Sequence, residues 1–576
     1  METFRKYGRI EVSIGVFFVV LLLLGLRLFY IQVIEHDKYD AMARNIQTQE
    51  LIIQPKRGEI YTRFGSETAP LVLNETIYTI FADPQQIDSA KKVISEVGAA
   101  VGDRLEIGVK DLEKSKTQYM VLARGLSNEQ NKKVEKLDLE GVGSQKSSRR
   151  YYPEDKMLSR TLGFVNVEGE GQYGVEGEFN DILSGKPGLL SGMTDIKGTF
   201  LPTSQYYTSI PAENGENIVL SIDRNIQYAA DQILDSGLKS VGATKGSIVV
   251  MDPQDGSVLA MSSSPSYNPA QYSKVENADL FLNPVVNNAF EPGSVTKVLT
   301  MAAAIDSGAV NQKSTFYNSG CVKIYEDKVC NVEQSVSNRT LTATDIFRYS
   351  LNTGVIWTLE QMGGGSINNK GKNTLYNYFH GKFRLDDLTG IEQAAESKGD
   401  ITKPNSNEAW DIRYANMTFG QGFNTTMIEM TSAFAAVVNG GTYYKPHLLY
   451  GTLDDENSIH QTVPEVVTND VVKPETSKAI RQMMFEARDH SGDSGHYVGS
   501  KSGTAQVYDA KTGNYSKTNF IGTHLGFGAD SSGNAKYVIM VRVDDSRAGG
   551  YAGTIAAGPI FTNMSNWIIN YKGISK

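Results

Sequence analysis

The chain has little sulfur and little imidazole. Its 576 residues include two cysteines, Cys321 and Cys330, and seven histidines. No set of these stands at metal-ligand spacing, so no metal is implied, and nothing in the sequence asks for a cofactor. Excess positive charge is also missing. A net charge of −9 and a pI near 5.5, with no long basic run and no interleaving of aromatic and basic residues, argue against nucleic acid as a partner. What remains is ordinary folding material, 40% hydrophobic and 21% charged, in a chain with room for two or three domains.

One apolar run stands out. Residues 12–26 carry no charge, and beyond Arg27 the apolar character resumes through Ile34. The whole span is long enough to cross a bilayer if Arg27 reaches toward an interface. A cleaved signal peptide is the rival reading, but no small-x-small cleavage site follows the run. Arg5, Lys6 and Arg9 place the N-terminus in the cytoplasm and the bulk of the chain outside it. The expected order is a cytoplasmic tail over 1–11, a single-pass anchor over 12–34 in the cytoplasmic (inner) membrane, a non-catalytic pedestal over 35–213 and a catalytic domain over 214–576.

Within the pedestal, Gln54-Pro55-Lys56-Arg57-Gly58-Glu59-Ile60-Tyr61 reads as a turn into a strand, with charged amphipathic helices near 85–100 and 128–137. The Gly-rich stretch 169–178 holds three carboxylates, Glu170, Glu176 and Glu178. Its spacing matches neither a calcium loop nor a catalytic carboxylate pair, so it is expected to be a turn-rich solvated or interface segment. Pro211-Ala212-Glu213-Asn214-Gly215 reads as a linker. After it, Ile218–Ile222 predicts a strand, and Asp223 is placed to cap a helix with Ile226, Ala230, Ile233, Leu234 and Leu238 on one face. A hairpin follows over 247–261, and near the C-terminus a strand over 537–543 precedes a helix from Gly558-Pro559 to Asn570. Strands from both ends with helices between them predict an α+β domain, one antiparallel sheet covered by helices.

The chemistry centres on Glu291-Pro292-Gly293-Ser294-Val295-Thr296-Lys297, where a Pro-Gly break runs into an apolar helical segment. Ser294 and Lys297 at i and i+3 put a hydroxyl beside an amine, a nucleophile with its own base. The pattern alone is weak, since about two such pairs are expected by chance in a chain of this length. Ser89-Ala90-Lys91-Lys92 is one of them. A site needs further parts. Ser350-Leu351-Asn352 opens a segment able to form a buried helix, whereas Ser366-Ile367-Asn368 sits among glycines and polar residues as loop. Lys501-Ser502-Gly503-Thr504 alternates as a strand with small residues, whereas Lys511-Thr512-Gly513 lies in a polar run.

Taken in order, Ser294-x-x-Lys297, Ser350-x-Asn352 and Lys501-Ser502-Gly503 resemble the three active-site motifs of penicillin-binding proteins and serine β-lactamases. The flanks narrow the resemblance to the class B penicillin-binding proteins, monofunctional peptidoglycan transpeptidases. Arg57-Gly58-x-Ile60 resembles their pedestal motif, and Arg150-Tyr151-Tyr152-Pro153, Leu162-Gly163-Phe164 and Gly174-Val175-Glu176-Gly177 resemble a second block. Ser221-Ile222-Asp223, Ser264-Pro265-Ser266-Tyr267-Asn268-Pro269, Thr418-Phe419-Gly420-Gln421-Gly422 and Asn439-Gly440-Gly441 follow in family order. Tyr61-Thr62-Arg63-Phe64-Gly65 departs from the Asp-Arg-Asn-Gly-like turn usual there. Glu291-Pro292-Gly293-Ser294 and the pedestal layout resemble the septal, division type more than the elongation type, and wall-sensing repeats are not expected after the catalytic region.

The resemblance implies a penicillin-binding transpeptidase domain on an elongated mixed pedestal. It also implies a D,D-transpeptidase acting on stem peptides through a serine acyl-enzyme and inhibited by β-lactams. Ser294 is then the nucleophile and Lys297 the base, held neutral by burial beside Lys501. Ser350 relays the proton, and Asn352 bonds Lys297 or the substrate amide. Lys501 and the Thr504 hydroxyl hold the terminal carboxylate, Ser502 and Gly503 line the substrate strand, and the N–H groups of Ser294 and Thr504 form the oxyanion site. Thr418–Gly422 borders the acceptor side or is a structural turn. The implied partners are the lipid bilayer, a polytopic glycan polymerase and other division proteins. Cys321 and Cys330 flank a short hairpin, which in an oxidising compartment favours a disulfide over a reactive thiol. The competing readings are a D,D-carboxypeptidase or β-lactamase with the same triad, and a catalytically silent scaffold of the division complex.

Overall fold

A computed structural model describes residues 8–39, 42, 48–65, 67–115, 117, 119–193, 207–454, 456–488, 496–509, 514–546 and 551–575. Its contacts divide the chain into two compact units, Met1–Arg57 with Ser184–Gly215, and Gly58–Leu183 with Glu216–Lys576. In the first, an α-helix over Arg9–Phe29 continues as one wide turn over Tyr30–Ile34. The apolar span Ile10–Ile34 has 25 residues, about 37 Å of helix, more than a bilayer core requires. The same unit holds a small antiparallel sheet in which Thr48–Ile53 pairs with Gly188–Met193, and that strand with Thr208–Ile210.

In the second unit a five-stranded antiparallel sheet runs in the order Val258–Ser264, Lys245–Met251, Ala535–Ser546, Asn514–Ala529, Tyr497–Asp509. Its period of two sorts the side chains onto two faces. Ile248, Val250, Ile539 and Val541 pack under the helices Arg224–Ser240 and Gly558–Lys572. Val249, Met251, Val538 and Met540 join the larger core, which includes helices Lys297–Asp306 and Met427–Val438. Asp223 caps Arg224–Ser240, its Oδ1 accepting from the N–H groups of Asn225 and Ile226 at 2.9 and 3.1 Å. Such a cap is worth about 1 kcal/mol.

A second sheet crosses the expected pedestal boundary. Strand Ile60–Phe64 pairs in parallel with Asn217–Asp223 and antiparallel with Glu67–Ala82, so pedestal and catalytic sequences share one seven-stranded sheet. A parallel pair needs a long crossover, which the intervening residues supply. Two helices expected in the pedestal span Ala90–Val101 and Asn128–Glu135.

The Gly-rich segment differs from expectation at one carboxylate. Glu170 and Glu178 are exposed, but Glu176 is 0% exposed and accepts from Arg150 Nε at 2.8 Å. The physical reason is a helical turn over Gly174–Glu178 that carries Glu176 inward to the Arg150 guanidinium.

Candidate active site

Gly293 sets the start of the central helix. Its φ is +66°, and a Cβ there would stand 2.8 Å from the Thr504 carbonyl oxygen, so only glycine fits without a shift. Residues Gly293–Thr296 form a 3-10 turn before the α-helix Lys297–Asp306, rather than the α-helical turn expected from the sequence. A 3-10 turn eclipses i and i+3, which stacks Ser294 and Lys297 on one edge.

Lys297 is 0% exposed. Its Nζ donates to the Ser350 carbonyl at 2.6 Å and to Asn352 Oδ1 at 2.7 Å, and lies 3.3 Å from Ser350 Oγ. Ser350 adopts φ +51°, a left-handed conformation uncommon outside glycine, at the turn that leads its carbonyl to the amine. Asn352 begins helix Asn352–Met362, and its Nδ2 donates to the Cys330 carbonyl at 3.0 Å. With the amide nitrogen committed there, the amide oxygen faces Lys297.

The opposite wall is strand Tyr497–Asp509, at one end of the five-stranded sheet. Lys501 is 5% exposed and donates to the Ser502 carbonyl at 2.7 Å. Thr504 Oγ1 accepts from the Gly553 N–H at 3.0 Å. A Cβ on Gly503 would meet Thr523 Oγ1 at 2.4 Å, and Thr523 in turn donates to the Pro292 carbonyl at 2.9 Å. Strand and nucleophile turn are thereby pressed together.

Between these walls lies a cleft of about 1050 Å3, lined by Ser294, Ser350, Asn352, Lys501, Ser502 and Thr504. Gly503 lines it as well, and Lys297 lies behind the surface, bonded to Ser350 and Asn352. Burial, reinforced by the Lys501 charge, holds the Lys297 amine well below the usual lysine range. Burial brings Lys501 down to about 7. His524, on the neighbouring strand and 3.0 Å from Ser500 Oγ, is pushed down to about 3 by burial and then by the charges of Arg488 and Lys501.

The turn Thr418–Gly422 is a structural support that also reaches the cleft. The Gly420 carbonyl accepts from the Gly293 N–H at 3.0 Å, while Phe419 and Gln421 line the cleft. Cys321 and Cys330 face each other across the hairpin Cys321–Ile324/Asp327–Cys330 with their sulfurs 2.12 Å apart. Of the competing motifs, Ser89 caps helix Ala90–Val101, and Asn368 caps Asn369–Tyr376, and neither lines the cleft. Lys511-Thr512-Gly513 lies outside the described residues, as do Arg5 and Lys6.

Sequence reasoning passed over Thr523, His524 and the Cys330 carbonyl. Thr523 and His524 carry no local pattern, since their importance comes from which strand lies next to Lys501, and a backbone carbonyl has no signature at all. It also passed over His380, Asp386 and Asp387, whose ligand atoms lie within 4.8 Å of one another. There His380 Nδ1 is 2.8 Å from Asp386 Oδ1, and Asp387 pairs with Arg384 at 3.2 Å, so the groups satisfy each other.

The arrangement puts a serine hydroxyl and a buried amine at one cleft, the parts that acyl transfer through a serine would use. Residues 246–566 match the penicillin binding protein transpeptidase domain, and residues 52–220 match the penicillin-binding protein dimerisation domain. Stage V sporulation protein D of Bacillus subtilis (strain 168) is 30% identical over 573 residues, covering 98% of this chain and 85% of that protein. Peptidoglycan D,D-transpeptidase FtsI of Escherichia coli (strain K12) is 26% identical, covering 96% of this chain and 90% of that protein. Penicillin Binding Protein 2X from Streptococcus thermophilus superposes with a TM-score of 0.73 at 22% identity, over 91% of this chain and 80% of that one. The chain therefore belongs to the class B penicillin-binding proteins, and its catalytic region is a transpeptidase domain.

Proposed function

We propose that this protein is a peptidoglycan D,D-transpeptidase in which Ser294 attacks the carbonyl between the two terminal D-alanines of a stem peptide. Attack forms a Ser294 ester and releases D-alanine. The amine of a neighbouring stem peptide then resolves the ester into a cross-link. The observation that carries this reading is the buried Lys297 amine beside Ser350 and Asn352, in one cleft with Ser294 and Lys501.

A neutral amine has two N–H bonds and one lone pair. The Ser350 carbonyl and Asn352 Oδ1 are acceptors only, so they take the two N–H bonds and leave the lone pair for a hydroxyl. Lys297 can then receive the Ser294 proton, and the Ser350 hydroxyl, 3.3 Å away, passes it to the leaving amine. A protonated Lys501 attracts the terminal carboxylate with help from the Thr504 hydroxyl. The N–H groups of Ser294 and Thr504 receive the oxyanion, a pairing worth a few kcal/mol in comparable sites. Ser502 and Gly503 lie along the edge strand, whose backbone can pair with an extended stem peptide.

The apolar helix serves as a single-pass anchor in the cytoplasmic membrane, with the N-terminus inside and the catalytic domain outside, in keeping with the basic residues that precede it. The partitioning remains a tail over 1–11, an anchor over 12–34, a pedestal over 35–213 and a catalytic domain over 214–576. Septal synthesis during division is the setting that the Glu291-Pro292-Gly293-Ser294 flank favours, alongside a polytopic glycan polymerase. The Cys321–Cys330 disulfide fits an extracytoplasmic location.

Labelling with a fluorescent penicillin tests the reading. The native chain is expected to hold a long-lived adduct and Ser294→Ala none. An equal signal from the variant would reject Ser294 as nucleophile, and rapid release of hydrolysed drug would assign the site to a β-lactamase instead.

A further inference from the structure

A second, smaller cleft of about 310 Å3 lies outside the catalytic one. Helix Arg224–Ser240 forms one wall, strand Val258–Ser264 and the turn after it another, and the pedestal-derived loop 154–161 the third. Asp231 is partly buried in it. Its Oδ1 accepts from Gln227 Nε2 at 3.0 Å and from Ser262 Oγ at 2.5 Å, while among the described residues no protein group reaches Oδ2. The Ser264 and Ser266 hydroxyls on the same cleft also have no side-chain hydrogen bond among the described residues. Gln232 lines the cleft with them, and the Tyr228 ring, 58% exposed, stands beside it.

Several of the charged groups on these walls already have partners. Glu154 pairs with Arg224, and Asp235 with Lys239 at 2.5 Å. The Arg160 guanidinium is spent on three backbone carbonyls, those of Leu282, Asp279 and Pro265. Lys156 and Asp231 also line the cleft, with no ion pair between them among the described residues. It offers free hydroxyl and carboxylate oxygens, a side-chain amide and one exposed aromatic face. A ligand that matches must be rich in hydroxyl groups, able to bond through an amide, and apolar on one flat side. A pyranose bearing an N-acetyl group has all three properties, and the volume suits a small ligand of this kind.

We propose that this cleft binds N-acetylhexosamine residues of a glycan strand. The identification of that strand as the polymer carrying the stem peptides rests on the transpeptidase reading above. Hydroxyl groups of the sugar donate to Asp231 Oδ2, Ser264 and Ser266 bond the ring oxygens or the acetamide, and Tyr228 covers the apolar face. The strand is then held by the same compact unit that carries Ser294, at a place other than the acylation site.

The test uses the full chain in detergent micelles, titrated calorimetrically with the β-1,4-linked tetramer of N-acetylglucosamine. Saturable binding is expected, weakened about tenfold by Tyr228→Ala and by Asp231→Asn, and unchanged by Ser294→Ala. Penicillin labelling is expected to be equal in Tyr228→Ala and the native chain, which shows that the variant is folded. The proposal is overturned if no saturable binding occurs up to roughly 10 mM tetramer, or if neither cleft variant weakens it. It is also overturned if 1,5-diaminopentane displaces the tetramer at equal concentration, since the cleft would then be a cation site. Failure of penicillin labelling in the native chain would count against the transpeptidase reading, whereas the tetramer titration reads this cleft alone.

Discussion

The pH dependence of acylation probes the electrostatics of the catalytic cleft most directly. A lysine at its ordinary pKa of about 10.4 is neutral in roughly one molecule in 2,500 at pH 7. If Lys297 kept that pKa, the acylation rate would rise about tenfold per pH unit from 7 to 10 as base became available. Burial and the Lys501 charge instead place Lys297 far lower, so the base is expected to be in supply at neutral pH. Lys501 acts in the opposite sense. With a pKa of about 7, it loses its charge as pH rises through that value, and with it the attraction for a ligand carboxylate. Stopped-flow acylation with a fluorescent penicillin at subsaturating concentration is therefore expected to fall as pH rises through about 7. In Lys501→Ala the rate is expected to drop about 10- to 100-fold and the alkaline fall to vanish. The acid limb should move up only slightly, because burial is the larger cause of the Lys297 shift and stays in place. A rate that climbs tenfold per unit between pH 7 and 10 in the native chain would refute this account.

The same two amines link pH to stability. Folding lowers their pKa values, so the unfolded chain binds more protons, and stability should rise from about pH 7, where Lys501 titrates in the fold, toward about 10.4, where it titrates unfolded. Thermal unfolding at pH 7 and pH 9.5 checks the sign, and Lys501→Met should flatten the rise. Gly293→Ala places a Cβ 2.8 Å from the Thr504 carbonyl at φ +66°, so about 1–3 kcal/mol of stability should be lost, with penicillin labelling slowed about 100-fold. Equal labelling rates would show that the close approach of turn and strand is not needed. Glu176→Gln strands the Arg150 charge in a dry interior and should cost about 3–5 kcal/mol by urea unfolding. Glu154→Gln, at the part-exposed pair with Arg224, should cost under about 1 kcal/mol.

Local pattern decided much of this protein. The strand Asn217–Asp223, the Asp223 cap, the hairpin after it and the terminal strand and helix follow from periodicity and capping chemistry, which act over a few residues. The apolar span Ile10–Ile34 and the order of the Ser-x-x-Lys, Ser-x-Asn and Lys-Ser-Gly motifs are equally properties of the chain itself. Other features arise only when distant segments meet. No local signal shows that strand Ile60–Phe64 lies parallel to Asn217–Asp223, because the pairing depends on how the intervening chain returns. None shows that Glu176 turns inward to Arg150, or that Tyr228 and Asp231 share a cleft with a loop some 70 residues earlier. Above all, the neutrality expected of Lys297 is a property of its surroundings. Sequence identifies the amine, but only the packed fold removes the water, brings Lys501 near and supplies two carbonyl acceptors, and desolvation and charge depend on distances that the chain acquires when it folds.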